Sequence, residues 1–292
     1  MFTEVNRRFI RFASTLGFFD RAYDYALDPT WITWGGDGGP GNEEMMLIEN
    51  PEECDTGKGW CFTALAVMDL DARFALGVDL APDKSQRTGQ FRRMLRVAAR
   101  EGGVGRVHID REFFDGDAVR LCRAVAKRNW VIQAKIPKKG AVASVINETP
   151  IGESEFYKGV PFSDVTPNPN VYVHSVPEWL REQNGGHPHM AFLTDLTPED
   201  VDLSDIYETY LKRWSIETFF RQLKHEFASQ TESASPTLRL FLLNVATLFY
   251  NMHALMNRAV GPEYGLRLDV PYYDVLISVV EATFTRTGAT ER

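Results

Sequence analysis

Between Tyr23 and Ile136 the chain changes its hydrophobic period in an order that restricts the sheet it can build. Tyr23-Asp-Tyr-Ala-Leu-Asp28-Pro-Thr-Trp-Ile-Thr-Trp34 is rich in aromatic and β-branched residues and predicts a strand. Gly35 to Gly59, with its glycines, prolines and acids, predicts a loop. Gly59 to Met68 and Arg73 to Leu80 predict a hairpin turning at Asp69-Leu-Asp71. Gln86 to Glu101 carries arginines on one side and Phe91, Met94, Leu95 and Val97 on the other, an amphipathic helix that Gly102-Gly103 ends. A short strand over Gly105 to Asp110, a helix over Asp117 to Arg128 and a strand over Trp130 to Ile136 complete the order β-β-β-α-β-α-β. Such an order calls for a mixed α/β sheet with an antiparallel front, followed by parallel strands through right-handed crossovers.

Composition bounds the rest. With 292 residues, 44% of them hydrophobic, the chain can bury a substantial core. No apolar run reaches the ~20 residues of a membrane-spanning helix, and the first residues do not read as a signal peptide. Cys54, Cys61 and Cys122 make no disulfide framework, which points to a reducing, cytoplasmic setting; Cys54 and Cys61 lack a matching His or Cys pair for zinc. The net charge of −8 runs against the basic face of most nucleic-acid binders. Binding needs only a local patch, however, because affinity comes from the phosphates contacted. Of the 32 basic residues 9 are Lys, leaving 23 Arg. An acidic, Lys-poor chain of this kind resembles proteins of salt-loving microbes, whose salt screens repulsion from DNA.

The chemistry concentrates in one helix, Tyr210-Leu-Lys-Arg213-Trp-Ser-Ile-Glu217-Thr-Phe-Phe-Arg-Gln-Leu-Lys224. Tyr210, Arg213, Glu217 and Lys224 fall within an arc of roughly 60° at about 100° per residue. Trp214, Ile216, Phe219, Phe220, Leu223 and Phe227 cover much of the remaining surface, so the helix is expected to pack into a body. A carboxylate for a metal, beside cations and a hydroxyl for phosphates, is equipment for cutting nucleic acid. The spacing by itself fits equally a surface stripe in which Arg213 and Glu217 form an i, i+4 pair worth about 0.2–0.5 kcal/mol.

Tyr210-x2-Arg213-x3-Glu217-x6-Lys224 resembles the Y-(2)-R-(3)-E-(6)-K signature of the IS4-type insertion-sequence transposases. These are DDE transposases with a ribonuclease H-like catalytic core. All four fixed positions match, and Lys224-His-Glu-Phe followed by Leu238-Arg-Leu-Phe-Leu-Leu-Asn244 is similar to the family as well. The resemblance implies a ribonuclease H-like mixed sheet flanked by helices, with a β-containing insertion before the last catalytic helix. It also implies Glu217 as a catalytic, metal-binding acid, and Tyr210, Arg213 and Lys224 as contacts to DNA phosphates. The expected division is a short N-terminal segment over 1–20, the first part of the core over 21–137 and the insertion over 138–200. The second part of the core, with the catalytic and C-terminal helices, covers 201–260, and a tail covers 261–292. Within the insertion Val171 to His174 and His189 to Leu193 are strand candidates, while His187-Pro-His189 is expected to be solvated.

Two upstream acids should join Glu217. Asp110 closes an apolar strand, where ligands of open α/β sheets collect, and Ile109-Asp110-Arg111-Glu112-Phe113 resembles the family's second-aspartate motif with Glu112 in place of glycine. For the first acid, Asp28 is preferred: it lies inside the first strand and precedes Thr30 in a D-x-T pattern, although Pro29 is awkward within a strand. Asp24, two same-face positions earlier, and Asp37, Asp69 and Asp71 are the alternatives. Asp28, Asp110 and Glu217 would hold two Mg²⁺ (or Mn²⁺) ions roughly 3.5–4 Å apart. Double-stranded DNA, as transposon ends and target, is the implied partner, with a dimer in the DNA complex. Only 27 residues precede Asp28, so the family's end-recognition region is expected to be missing or reduced to one short helix. A non-catalytic DNA-binding remnant and a nuclease without joining activity are the rival readings.

Overall fold

The computed structural model describes residues 2–19, 21–33, 46–47, 58–68, 74–81, 87–101, 103–182, 184–213, 216, 220, 233 and 235–260. Along the first half of the chain run α1 (Phe2–Thr15), β1 (Tyr23–Thr33), β2 (Met46–Leu47), β3 (Lys58–Val67), β4 (Ala75–Ala81), α2 (Arg87–Glu101), β5 (Val104–Ile109), α3 (Gly116–Ala126) and β6 (Trp130–Gln133). There follow α4 (Ala141–Glu148), β7 (Glu155–Tyr157), β8 (Asn170–Ser175), α5 (Glu178–Arg181), β9 (His189–Thr194), α6 (Leu203–Lys212) and α7 (Pro236–Val260). The described strands form one nine-stranded sheet in the order β2-β3-β1-β5-β6-β9-β8-β7, with β4 also paired to β3. β1, β3 and β4 are antiparallel neighbours, whereas β1, β5 and β6 are parallel. This is the mixed sheet flanked by helices that the order of the sequence predicts. No helix among the described residues is long and apolar enough to cross a membrane.

Residues 138–200 contribute β7, β8 and β9, which extend the same sheet past β6 through antiparallel pairing. Both strand candidates in this segment are present. Two details differ from expectation. Residues 141–148, read as irregular, form α4, which buries Val142, Ala143 and Ile146. His189 is buried rather than solvated, because it opens β9 and turns its Nε2 to the carbonyl of Pro150 at 3.1 Å.

Strand alternation divides the core into faces. On one side Tyr25, Leu27, Val107, Ile109 and Ile132 pack with Phe91 and Leu95 of α2 and Val119 and Cys122 of α3. On the other, Ala26, Trp60, Phe62, Ala64 and Ala66 meet Ile216, Phe220 and the start of α7 at Leu243 and Ala246. Further along that second face Val131, Tyr172 and Phe192 hold Ile206, Tyr207 and Tyr210 of α6.

Pro29 finds its place where a ladder ends. Leu27 accepts from the Asp110 N–H at 3.1 Å, so odd residues of β1 direct their backbone groups toward β5. The pairing of β1 with β5 stops at Leu27–Ile109. The nitrogen of Pro29 therefore faces the side where β5 has already finished, and the missing N–H deprives no β5 acceptor of a donor.

A buried side chain of helix α7 hydrogen-bonds to the backbone of β4. Asn251, 1% exposed, accepts from the Ala75 N–H at 2.9 Å and donates to the Ala75 carbonyl at 2.8 Å. Asn251→Leu keeps the size and removes both partners from a buried backbone unit, at about 1–3 kcal/mol for each group left unsatisfied. The expected outcome is a lower urea midpoint with an unchanged slope, their product falling by that amount; a wild-type midpoint would show that the amide is dispensable.

Candidate active site

Three neighbouring parallel strands carry polar residues at one level, where β5 and β6 end and β1 runs on to Thr33. Leu27, Ile109 and Ile132 are register partners across β1, β5 and β6, and the residue after each is Asp28, Asp110 and Gln133. All three turn to the face opposite those apolar partners. Asp28 is 5% exposed and Gln133 7%, so the row lies beneath the surface. The alanines on this face, Ala26, Ala64 and Ala66, leave room for the segment after α6 to approach.

Asp110 is fixed by its own backbone. It caps the 3-10 turn Arg111–Phe113, with extended backbone angles and Oδ1 accepting the Glu112 N–H at 2.8 Å. Buried Phe113 anchors this turn against Phe91, their ring centres 5.6 Å apart. Glu112, which replaces glycine in the second-aspartate motif, pairs at the rim with Lys135 at 3.1 Å. One Asp110 oxygen is thus held in place while Oδ2 faces the site.

Arg213 joins the two acids. Its Nη1 donates to Asp28 Oδ1 and lies 3.5 Å from Asp110 Oδ2. Its guanidinium carbon sits 5.0 Å from the centre of the Tyr210 ring, within the range of a cation–π contact. Tyr210 is 1% exposed and donates its hydroxyl to Gln133 Oε1 at 2.8 Å. Burial pushes the Tyr210 phenol far above its ordinary value; the charge of Arg213 pulls it down, while those of Asp110 and Asp28 push it further up. The group therefore remains a donor throughout the ordinary pH range. In this arrangement Tyr210 serves to hold Arg213 and is shielded from solvent.

The helix carrying the signature is interrupted. Residues 210–224 read as one helix, but α6 begins at an Asp202 cap and ends at Lys212, with Arg213 as its C-terminal cap. The Arg213 N–H bonds to the Tyr210 carbonyl at 2.9 Å and the Ile216 N–H to the Arg213 carbonyl at 2.7 Å. Both bonds span three residues, which tightens the chain as Arg213 turns into the sheet end. Glu217 and Lys224 lie outside the described residues, as do Asp37, Asp69 and Asp71.

Asp24 is placed elsewhere. It sits four residues before Asp28, about 13 Å away along the strand at ~3.3 Å per residue. Its Oδ1 accepts the Arg106 N–H at 2.6 Å, and its Oδ2 is 3.8 Å from Nε2 of buried His108. Burial raises the Asp24 carboxyl, but His108, through hydrogen bonding and charge, and Arg106 together hold it below its ordinary value. A Cβ on Gly105 would stand 2.7 Å from Asp24 Oδ1, so the glycine makes room for this carboxylate beside the β1–β5 irregularity. Asp24 is engaged in shaping the strand junction.

Among the described residues no group of three or more His, Cys, Asp or Glu stands together at a metal-ligating distance. Asp28 and Asp110 nevertheless form a suitable hard-oxygen pair, and Arg213 already places a cationic nitrogen between them. Gln133 had no signal in its neighbourhood beyond the end of an apolar strand, the same signal that marks Asp110.

A family profile described as "Transposase DDE domain" matches residues 24–248. No curated protein matches the chain. Among solved structures the chain is similar to piggyBac transposase in the cryo-EM structure of its synaptic complex with hairpin DNA, with a TM-score of 0.57 and 10% identity. That likeness covers 87% of this chain and 51% of the other, so the chain spans about half the length of the protein it matches. At such an identity the likeness speaks for the fold, an α/β sheet flanked by helices of the ribonuclease H-like transposase type.

Tyr210→Phe removes the donor to Gln133 Oε1 and should cost about 1–3 kcal/mol. Replacing both partners, as Tyr210→Phe with Gln133→Leu, should cost less than the sum of the single changes. Denaturant melts of the four proteins test this coupling, and simple additivity would show that the hydrogen bond carries no stability.

Proposed function

The chain belongs to the transposase DDE domain family, and from that membership we propose that it is an IS4-type transposase cutting and joining DNA at insertion-sequence ends. The observation that carries this reading is the placement of Asp110, just past the end of β5, beside Asp28 of the neighbouring parallel strand β1. With Glu217 they would hold a divalent metal, Mg²⁺ in the first place and Mn²⁺ as its substitute. When bound, the metal supplies Lewis-acid stabilisation of the phosphoryl group and an activated oxygen nucleophile, water or a 3′-hydroxyl. Duplex DNA is the proposed substrate, with two copies of the chain holding a pair of ends.

The remaining work falls to the chain's own side chains. Asp110, clamped through Oδ1, keeps Oδ2 directed at the site. Asp28 is buried, with Ala64 as its register partner on β3, which limits the water around it. Arg213 and Lys224 are proposed to meet phosphate oxygens once DNA is bound, Arg213 by paired hydrogen bonds and Lys224 as a point charge. Tyr210 contributes through the position it gives Arg213.

Supercoiled DNA bearing the element's ends, incubated with Mg²⁺, is expected to yield insertion products. Cleavage without joining would identify a nuclease, and binding alone a non-catalytic relative. Asp28→Asn, Asp110→Asn and Glu217→Gln should each lower strand cleavage at least a hundredfold with the circular dichroism spectrum unchanged, whereas Asp24→Asn should retain cleavage. Loss of cleavage in Asp24→Asn with full activity in Asp28→Asn would reassign the first acid.

The phosphate contacts make a separate expectation. Arg213→Ala and Lys224→Ala should each weaken binding to end DNA and reduce the slope of log K against log salt by about one unit, as for loss of one phosphate contact. Wild-type affinity and slope in both variants would leave the stripe with a structural role.

A further inference from the structure

The position of Arg213 is unusual for a residue proposed to grip DNA. It is 5% exposed and directed at two carboxylates of its own chain. Buried Asp28 and partly buried Asp110, on adjacent strands, repel each other unless a cation lies between them, and a buried charge stripped of its partner is strongly destabilising. A single nitrogen, Nη1, faces both Asp28 Oδ1 and Asp110 Oδ2. It takes the part that a bridging metal would take.

This placement is built by several independent contacts. The C-terminal cap of α6 sets the backbone of Arg213 over the strand ends. The Tyr210 ring supports the guanidinium at 5.0 Å, and Gln133, next to Asp110 in the row, holds the Tyr210 hydroxyl at 2.8 Å. Tyr210 itself is packed against Phe192, their ring centres 5.0 Å apart. The guanidinium therefore has a prepared seat on the acids.

We propose that Arg213 is the resident counterion of the Asp28–Asp110 pair, that metal and guanidinium compete for these carboxylates, and that DNA phosphate is the second anion to which the displaced guanidinium moves. The proposal rests on the reading of Asp28 and Asp110 as metal ligands. A metal held by Asp28 and Asp110 would draw on carboxylates that Nη1 now faces, and its charge would repel the guanidinium. Metal binding and phosphate binding then favour each other, since each removes an obstacle to the other, and this coupling is reciprocal. Arg213 thereby gains a role before DNA arrives: it offsets part of the acid pair's charge and keeps the metal affinity low.

The test is Mn²⁺ binding by the full chain without DNA, followed by isothermal calorimetry and by the electron paramagnetic resonance of free Mn²⁺. Arg213→Met keeps much of the aliphatic stem and removes the competitor, so it should bind Mn²⁺ at least tenfold more tightly than wild type. Its melting temperature in EDTA should fall below that of wild type and rise more on adding Mn²⁺. Arg213→Lys, a point charge without the planar fork, should also bind Mn²⁺ more tightly than wild type, and it decides the matter if Arg213→Met does not fold. Mn²⁺ affinity equal to or weaker than wild type in the folded variants overturns the competition. Asp110→Asn serves as the separate control: loss of Mn²⁺ binding there supports the metal site, while undiminished binding overturns the metal-ligand reading itself.

Discussion

Setting two carboxylates side by side, one of them buried, is the constraint around which this structure is organised. Asp28 and Asp110 project from strands that are hydrogen-bonded neighbours, Asp28 buried and Asp110 partly so. A sheet end of this kind is stable only if a cation is delivered to it from another element. Arg213 is that cation in this structure, and it has to arrive from more than a hundred residues further along the chain. Arginine suits the task because it stays charged when buried and offers several donors in a plane.

Delivery depends on the part of the sheet that sequence reading treats as an insertion. β9 lies antiparallel beside β6, with β8 beyond it, and their residues Phe192 and Tyr172 continue the face begun by Val131. Ile206, Tyr207 and Tyr210 of α6 pack into that face, so the added strands form the bed on which α6 rests. His174 stacks on Tyr207 with ring centres 3.8 Å apart, and burial, with the nearby His189 charge, lowers its pKa to about 4. It therefore packs as a neutral ring at neutral pH. The bed fixes the end of α6, and the end of α6 fixes Arg213.

Much of this could be read from residues. The seven-element order appears in the structure because each element carries its own periodicity: the arginine face and apolar face of α2, the apolar run of β6, the β-branched and aromatic run of β1. Asp110 was visible as an acid closing an apolar strand. Pro29 looked misplaced because sequence does not reveal where a neighbouring strand stops; once β5 ends at Ile109, the missing N–H deprives it of nothing. α4 escaped notice because Gly140, its N-terminal cap, makes no side-chain cap bond and the helix has only 8 residues. The break at Arg213 was equally hidden: helical periodicity runs through 210–224, whereas the partners that meet Arg213, Asp28 and Asp110, lie more than a hundred residues earlier. Tyr210 illustrates the same limit, since a phenol on a polar stripe gives no hint that its partner is Gln133, 77 positions earlier.

The charge balance acquires a different meaning from this geometry. If the chain binds DNA as proposed, its net charge of −8 leaves that task to a small number of well-placed cations. If Arg213 occupies the acid pair at rest, the resting protein shows DNA one cation fewer at its active site than its sequence suggests. In the competition proposed above, the cation and the metal reach the phosphate together, one released by the arrival of the other. Non-specific attraction to duplex is then weak until the site is loaded. In that proposal the acidic net charge and the guanidinium held inward act in the same direction, limiting contact with DNA before the site is loaded.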